Sequence, residues 1–132
     1  VYIRVSSVLN RDIGNYGKQN LIDGQEETCW NSEQGLPQNI LLDFPNPVSV
    51  KSVVFQFQGG FVGKKCVIVG SKASSPNEYN VDLDIIYPED INSTQTFDLP
   101  TTTEPLKRVK IIFEESTDFY GRITVYKLDV LG

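Results

Sequence analysis

Two stretches of this chain alternate in character every second residue, and that spacing permits little besides β-structure. In Val48–Gln58, Val53, Phe55 and Phe57 fall on one face and Gln56 and Gln58 on the other. In Leu106–Glu114, Val109, Ile111 and Phe113 face one way while Arg108 and Lys110 face the other. Successive side chains of a strand point to opposite faces, so each run buries one side and wets the other. Val1–Val8, Ile40–Phe44, Cys66–Ser71, Val81–Tyr87, Gln95–Leu99 and Ile123–Leu131 read as further strands. Pro45-Asn46-Pro47 is expected to stop the strand before it, and the Gly and Pro residues fall between the runs. In the last run the apolar phase slips between Val125 and Leu128, which predicts a bulge or a strand buried on both sides. No stretch carries a helical period of useful length, and there is no internal repeat or low-complexity tract. Roughly eight or nine short strands with regular turns imply an all-β antiparallel sandwich or barrel.

The chain of 132 residues suits one domain, residues 1–132, with a core of its own. Its hydrophobic share of 39% and charged share of 22% are those of a soluble globular protein. No apolar run approaches the ~20 residues of a membrane span. No signal-peptide pattern opens the chain, but it starts at Val1 rather than Met, so the N-terminus leaves export open. A net charge of −5 argues against nucleic acid and against a polybasic membrane anchor. The absence of His removes the usual general base and the commonest transition-metal ligand. Cys29 and Cys66 are the two cysteines, too few for a disulfide framework. They form one bridge or, as is commoner in a reducing compartment, stay as two buried thiols.

The stretch from Asn20 to Trp30 combines an apolar anchor, Leu21-Ile22, with the turn signal Asp23-Gly24. Asp23 and Thr28 bring oxygens to either side of an acidic loop, and hard oxygen ligands of this kind suit calcium. The competing reading is a polar turn beside one core Trp. Trp30, the single Trp, is read as core.

Several segments, in order, resemble a discoidin domain, the galactose-binding-like jelly roll of coagulation factor V/VIII C-type domains. They are Ser6-Ser7, the Asn20-x-x-Asp23-Gly24-x-x-x-Thr28-x-Trp30 pattern, Gln38–Phe44 and the closing Ile123–Gly132. The resemblance spans nearly the whole chain and implies a jelly-roll sandwich. A closer likeness lies within that superfamily. Cys29-Trp30-Asn31-Ser32, Phe57-Gln58-Gly59-Gly60-Phe61, Tyr87-Pro88-Glu89-Asp90, Asn92-Ser93-x-Gln95-Thr96-Phe97 and Thr117–Arg122 resemble a family of small intracellular proteins named for association with a testicular orphan nuclear receptor. That likeness implies a nuclear or cytoplasmic repressor or adaptor with an orphan nuclear receptor as its partner. Factor-type domains tie their ends with a disulfide; here neither cysteine is near a terminus, which fits an intracellular branch. The family's closing Glu and Arg are Asp129 and Lys127 here.

The resemblance also implies sites. A structural calcium would be held by Asp23 through its carboxylate, Asn20 and Gln25 through carbonyls, Thr28 through its hydroxyl or carbonyl, and Asp129 from the last strand. The loops 10–17, 31–38, 58–65 and 115–122 would gather at one end of the sandwich and present Arg11, Tyr16, Phe61, Lys64, Lys65, Phe119, Tyr120 and Arg122. Aromatics and arginines are enriched at protein-interface hot spots. The same set could stack on a sugar ring and donate to its hydroxyls. In a competing arrangement Phe61 and Phe119 fold inward and plug the sandwich end.

Three other motifs are read as carrying no function. Gly60–Lys65 lacks the spacing of a phosphate loop and leads into a strand rather than a helix. Asn92-Ser93-Thr94 is a glycosylation sequon with meaning only in a secreted chain. Catalysis would rest on Glu114, Glu115 and Asp118, and the adjacent Glu114 and Glu115 point apart on a strand. The sequence therefore reads as a non-enzymatic protein-binding module that acts by blocking its partner's other contacts. A glycan-binding module and a subunit of a larger assembly are the alternatives.

Overall fold

Nine strands build two antiparallel sheets in the computed structural model, which describes residues 1–100 and 104–132. They are β1 (Tyr2–Val5), β2 (Trp30–Asn31), β3 (Gln38–Val48), β4 (Ser52–Phe57), β5 (Gly63–Lys72), β6 (Val81–Ile86), β7 (Gln95–Asp98), β8 (Leu106–Ser116) and β9 (Thr124–Leu131). One sheet runs β1-β3-β8-β5-β6 and the other β2-β9-β4-β7. This is the antiparallel sandwich expected from the alternating runs, in the jelly-roll form that the resemblance implies.

The alternation decides what lies between the sheets. Val53, Phe55 and Phe57 of β4 and Val109, Ile111 and Phe113 of β8 are all fully buried. Phe113 meets Phe55 and Phe57 edge-on, with centroids 5.9 and 6.2 Å apart. Trp30 lies 6.0 Å from Phe113 and is fully buried, as expected of a core Trp. Its indole N–H donates to the Ser7 carbonyl at 2.9 Å, so burial leaves no orphan donor. Cys29 and Cys66 are free and buried; burial pushes both thiols up, which leaves them as inert packing groups.

Three local outcomes differ from or refine the sequence pattern. The prolines do not stop β3, which runs on to Val48. Its register with β8 shifts between Asp43 and Val48, and β1 pairs only up to Asp43, so Pro45 and Pro47 sit where no ladder N–H is required. The 10–17 loop contains a single helical turn, α1 (Ile13–Tyr16), capped by the Asp12 carboxylate accepting from the Asn15 N–H at 3.3 Å. The phase slip in β9 is a bulge: Lys127 pairs with Gln56 but Val125 pairs with Phe57, leaving Tyr126 as the extra residue.

Candidate functional site

Backbone hydrogen bonds tie four loops together at the end of the sandwich where β2, β4 and β8 finish. Ser32 exchanges bonds with Ile123, its N–H donating to the Ile123 carbonyl at 2.9 Å and its Oγ accepting from the Ile123 N–H at 2.8 Å. The Gly35 N–H donates to the Tyr120 carbonyl at 2.8 Å. The Thr117 N–H donates to the Val62 carbonyl, and Thr117 Oγ1 accepts from the Val62 N–H, both at 2.9 Å. The Asn10 N–H donates to Glu33 at 3.0 Å and brings in the first loop. The expected gathering of loops is thus present.

The 116–122 loop is closed from within. The Ser116 hydroxyl donates to the Arg122 carbonyl at 2.7 Å and accepts from the Asp118 N–H at 3.0 Å. Arg122 forks onto Asp118, with Nε 2.9 Å from Oδ2 and Nη2 3.2 Å from Oδ1. Gly121 has φ +80, which glycine adopts freely, and a Cβ there would stand 3.0 Å from Leu36 Cγ. The guanidinium of Arg122 lies 5.0 Å from the Phe61 ring centroid and 5.7 Å from that of Tyr120.

This scaffold pushes an apolar tip into solvent. Phe119 is 94% exposed and Tyr120 57%, their rings edge-on at 5.3 Å. Leu36, also exposed, packs beside Gly121. Phe119 therefore does not plug the sandwich, while Phe61 is half-buried beneath Arg122. The other four expected residues stand apart. Lys65 pairs with Glu114 across β5 and β8 at 3.4 Å, Lys64 and Arg11 are exposed, and Tyr16 is half-buried at the end of α1. Among the described residues, no hydrogen bond, ion pair or ring contact joins these four to the tip.

The Asp23 turn closes on itself. Asp23 accepts from the Gln25 N–H at 2.9 Å and from the Thr28 hydroxyl at 2.6 Å. Thr28 Oγ1 also lies 3.3 Å from the Gln25 carbonyl, so three oxygen-bearing residues converge. The Thr28 hydroxyl, then the Gln25 N–H, hold the Asp23 carboxyl below its ordinary value. Asn20 is buried and its amide N–H groups donate to the Asn15 and Cys29 carbonyls at 2.8 and 2.9 Å. Asp129 accepts from its own neighbour, the Val130 N–H, at 2.9 Å. Gly24, Gln25 and Asp129 line one cavity of about 440 Å³, so the turn and the closing strand lie side by side. Asp23, Thr28 and the Gln25 carbonyl bring oxygens, the donor type calcium takes, to one turn. Among the described residues, no group of three or more His, Cys, Asp and Glu side chains is placed to hold a metal.

No protein-family profile matches the chain. It is 52% identical over 130 residues to the nuclear receptor 2C2-associated protein of Danio rerio, across 98% of this chain and 89% of that protein. Identity to the human protein of the same name is 46% over 129 residues, again 98% of this chain and 89% of the relative. The chain belongs to the nuclear receptor 2C2-associated protein family. Solved structures place this family's fold among galactose-binding-like domains. A family 32 carbohydrate-binding module of Clostridium perfringens, in complex with GalNAc-β-1,3-galactose, superposes with a TM-score of 0.81 at 18% identity, covering 99% of this chain and 94% of that one. An F5/8 type C domain from Bacteroides fragilis gives a TM-score of 0.81 at 16% identity, covering 98% and 89%. These likenesses show the jelly-roll fold that the resemblance implied.

In this family member the fork sets a pH dependence. Hydrogen bonding from the Arg122 side chain holds the Asp118 carboxyl below its ordinary value. A depressed carboxyl contributes stability above its unfolded value and loses it as pH falls through the folded value. The melting-temperature gap between wild type and Asp118→Asn is therefore expected to be widest near neutrality and to close in acid, as followed by circular dichroism at a series of pH values. The sequence pattern undervalued Leu36 and Ser116, and weighed Asp118 only as a catalytic carboxylate. The Asp118 to Arg122 spacing beside Gly121 was the available signal for a closed loop.

Proposed function

We propose that this chain is a non-catalytic binding module that docks on a nuclear receptor through its loop end and represses by covering surface that other partners need. The observation that carries this reading is the exposed tip of Phe119, Tyr120 and Leu36 on a loop closed by hydrogen bonds, displayed without a charged side chain among the three. A loop backbone closed before contact loses little freedom on binding, which favours affinity, and aromatics are enriched at interface hot spots. The name shared by the relatives supplies the partner class. Nuclear or cytoplasmic residence follows from the same reading. The test is calorimetry of the purified chain with purified nuclear receptor 2C2, paired with a receptor-driven reporter. A saturable heat and reporter loss dependent on the tip are expected; no heat with the full-length receptor would overturn the proposal.

A second reading, glycan binding at the same end, draws on neighbours solved with galactose or GalNAc-β-1,3-galactose. Against it, the Arg122 fork that would grip sugar hydroxyls is already engaged by Asp118. Titration with galactose, beside Arg122→Ala, separates the two readings.

The Asp23 turn is proposed to take a structural calcium. Chelated wild type is expected to give a binding heat with calcium and to melt at a higher temperature once loaded, and Asp23→Ala to lose both. Absence of heat together with an unchanged melting temperature would exclude the ion.

A further inference from the structure

The cavity beside the closing strand lies on a different part of the molecule from the tip, and it has the features of a second binding site. It holds about 440 Å³, within the roughly 300–1,000 Å³ of ligand pockets. Its apolar floor is Leu21 and Leu128, both buried. Above the floor stand Gln25, Glu26, Gln56, Tyr126, Lys127 and Asp129.

The bulge in β9 builds this lining. A regular strand would turn one of Tyr126 and Lys127 toward the core. With Tyr126 as the extra residue, the buried positions are Val125 and Leu128, and both residues between them face outward. An aromatic ring is thereby added to a wall that carries two carboxylates and two side-chain amides.

Four of these six side chains are uncommitted. Among the described residues, the side chains of Gln25, Glu26, Tyr126 and Lys127 make no hydrogen bond or ion pair. Among the described residues, Asp129 accepts only from the adjacent Val130 N–H, and Gln56 donates at 3.3 Å to the Asn92 carbonyl. Among the described residues that line the cavity, Lys127 is the one cation against the two carboxylates of Glu26 and Asp129.

We propose that this cavity takes an arginine side chain from a peptide segment of a protein partner. The guanidinium would fork onto Glu26 and Asp129 and stack on Tyr126. The Lys127 ammonium and the Gln56 amide would donate to the flanking peptide carbonyls. An acidic chain with net charge −5 favours a basic segment. The site does not require that the receptor be the partner, and it is tested without it.

The test is a ¹H–¹⁵N NMR titration with N-acetyl-arginine-N-methylamide, with the lysine analogue and with galactose, each repeated on Glu26→Gln/Asp129→Asn and with calcium added. Shifts confined to residues 24–26, 56 and 126–129 are expected with the arginine probe. They should be about tenfold weaker in the variant and weaker with lysine. The variant's own spectrum should be that of the folded chain, and Tyr126→Ala provides a second, carboxylate-independent loss. Absence of shifts, equal shifts in the variant, equal or stronger shifts with galactose, or removal of the shifts by calcium would each overturn the proposal.

Discussion

Phe119→Ala/Tyr120→Ala is expected to abolish measurable capture of the receptor while leaving the fold intact. Two exposed aromatics on a preformed loop are the residue types that dominate interfaces. Their joint truncation should cost about 2–4 kcal/mol of binding, or roughly 30- to 1,000-fold in Kd. Phe119 is 94% exposed and contributes little to the core, so the melting temperature should barely move. Isothermal calorimetry for affinity and a thermal melt for folding check both halves. Unchanged affinity would remove the tip from the account. A large loss of stability would mean that the aromatics serve the fold.

The second large effect is on stability. Trp30→Ala is expected to cost about 3–5 kcal/mol and to lower the melting temperature by roughly 10–20 °C. The indole is fully buried and sits 6.0 Å from Phe113. Its N–H satisfies the Ser7 carbonyl, and Ser7 Oγ in turn accepts from the Glu33 N–H at 3.0 Å. Removing the ring therefore opens a cavity between the sheets and leaves the Ser7 carbonyl without its indole donor. Guanidinium unfolding followed by circular dichroism measures the loss. A change below about 1 kcal/mol, the scale of an ordinary surface substitution, would contradict the placement of Trp30 in the core.

The fold was legible because hydrophobic period and turn chemistry agreed almost everywhere. Phe55, Phe57 and Phe113 could be placed in the core from alternation alone, and the slip between Val125 and Leu128 announced the bulge at Tyr126. The prolines after Phe44 misled, because sequence does not say which stretches of a strand lack a neighbour. The turn at Ile13–Tyr16 was too short to show a helical period.

The site was legible in part. Loops 31–38, 58–65 and 115–122 are joined as the fold resemblance implied, and Phe61, Phe119, Tyr120 and Arg122 stand together. Alternation cannot say which way a loop aromatic turns, so Phe119 could not be assigned outward from sequence. Nor could the pattern show that Arg122 is held by Asp118. That bond makes Arg122 a residue that positions the loop. Leu36 reaches the tip only because Gly121 leaves room beside it.

On the proposed function, partners meet this protein at its loop end and aromatic tip. Hydrogen-exchange mass spectrometry of the chain with and without full-length receptor tests it most directly. Protection concentrated in residues 34–37, 59–62 and 117–122 is the predicted result. Protection confined to other surfaces, or none at saturating receptor, would contradict it.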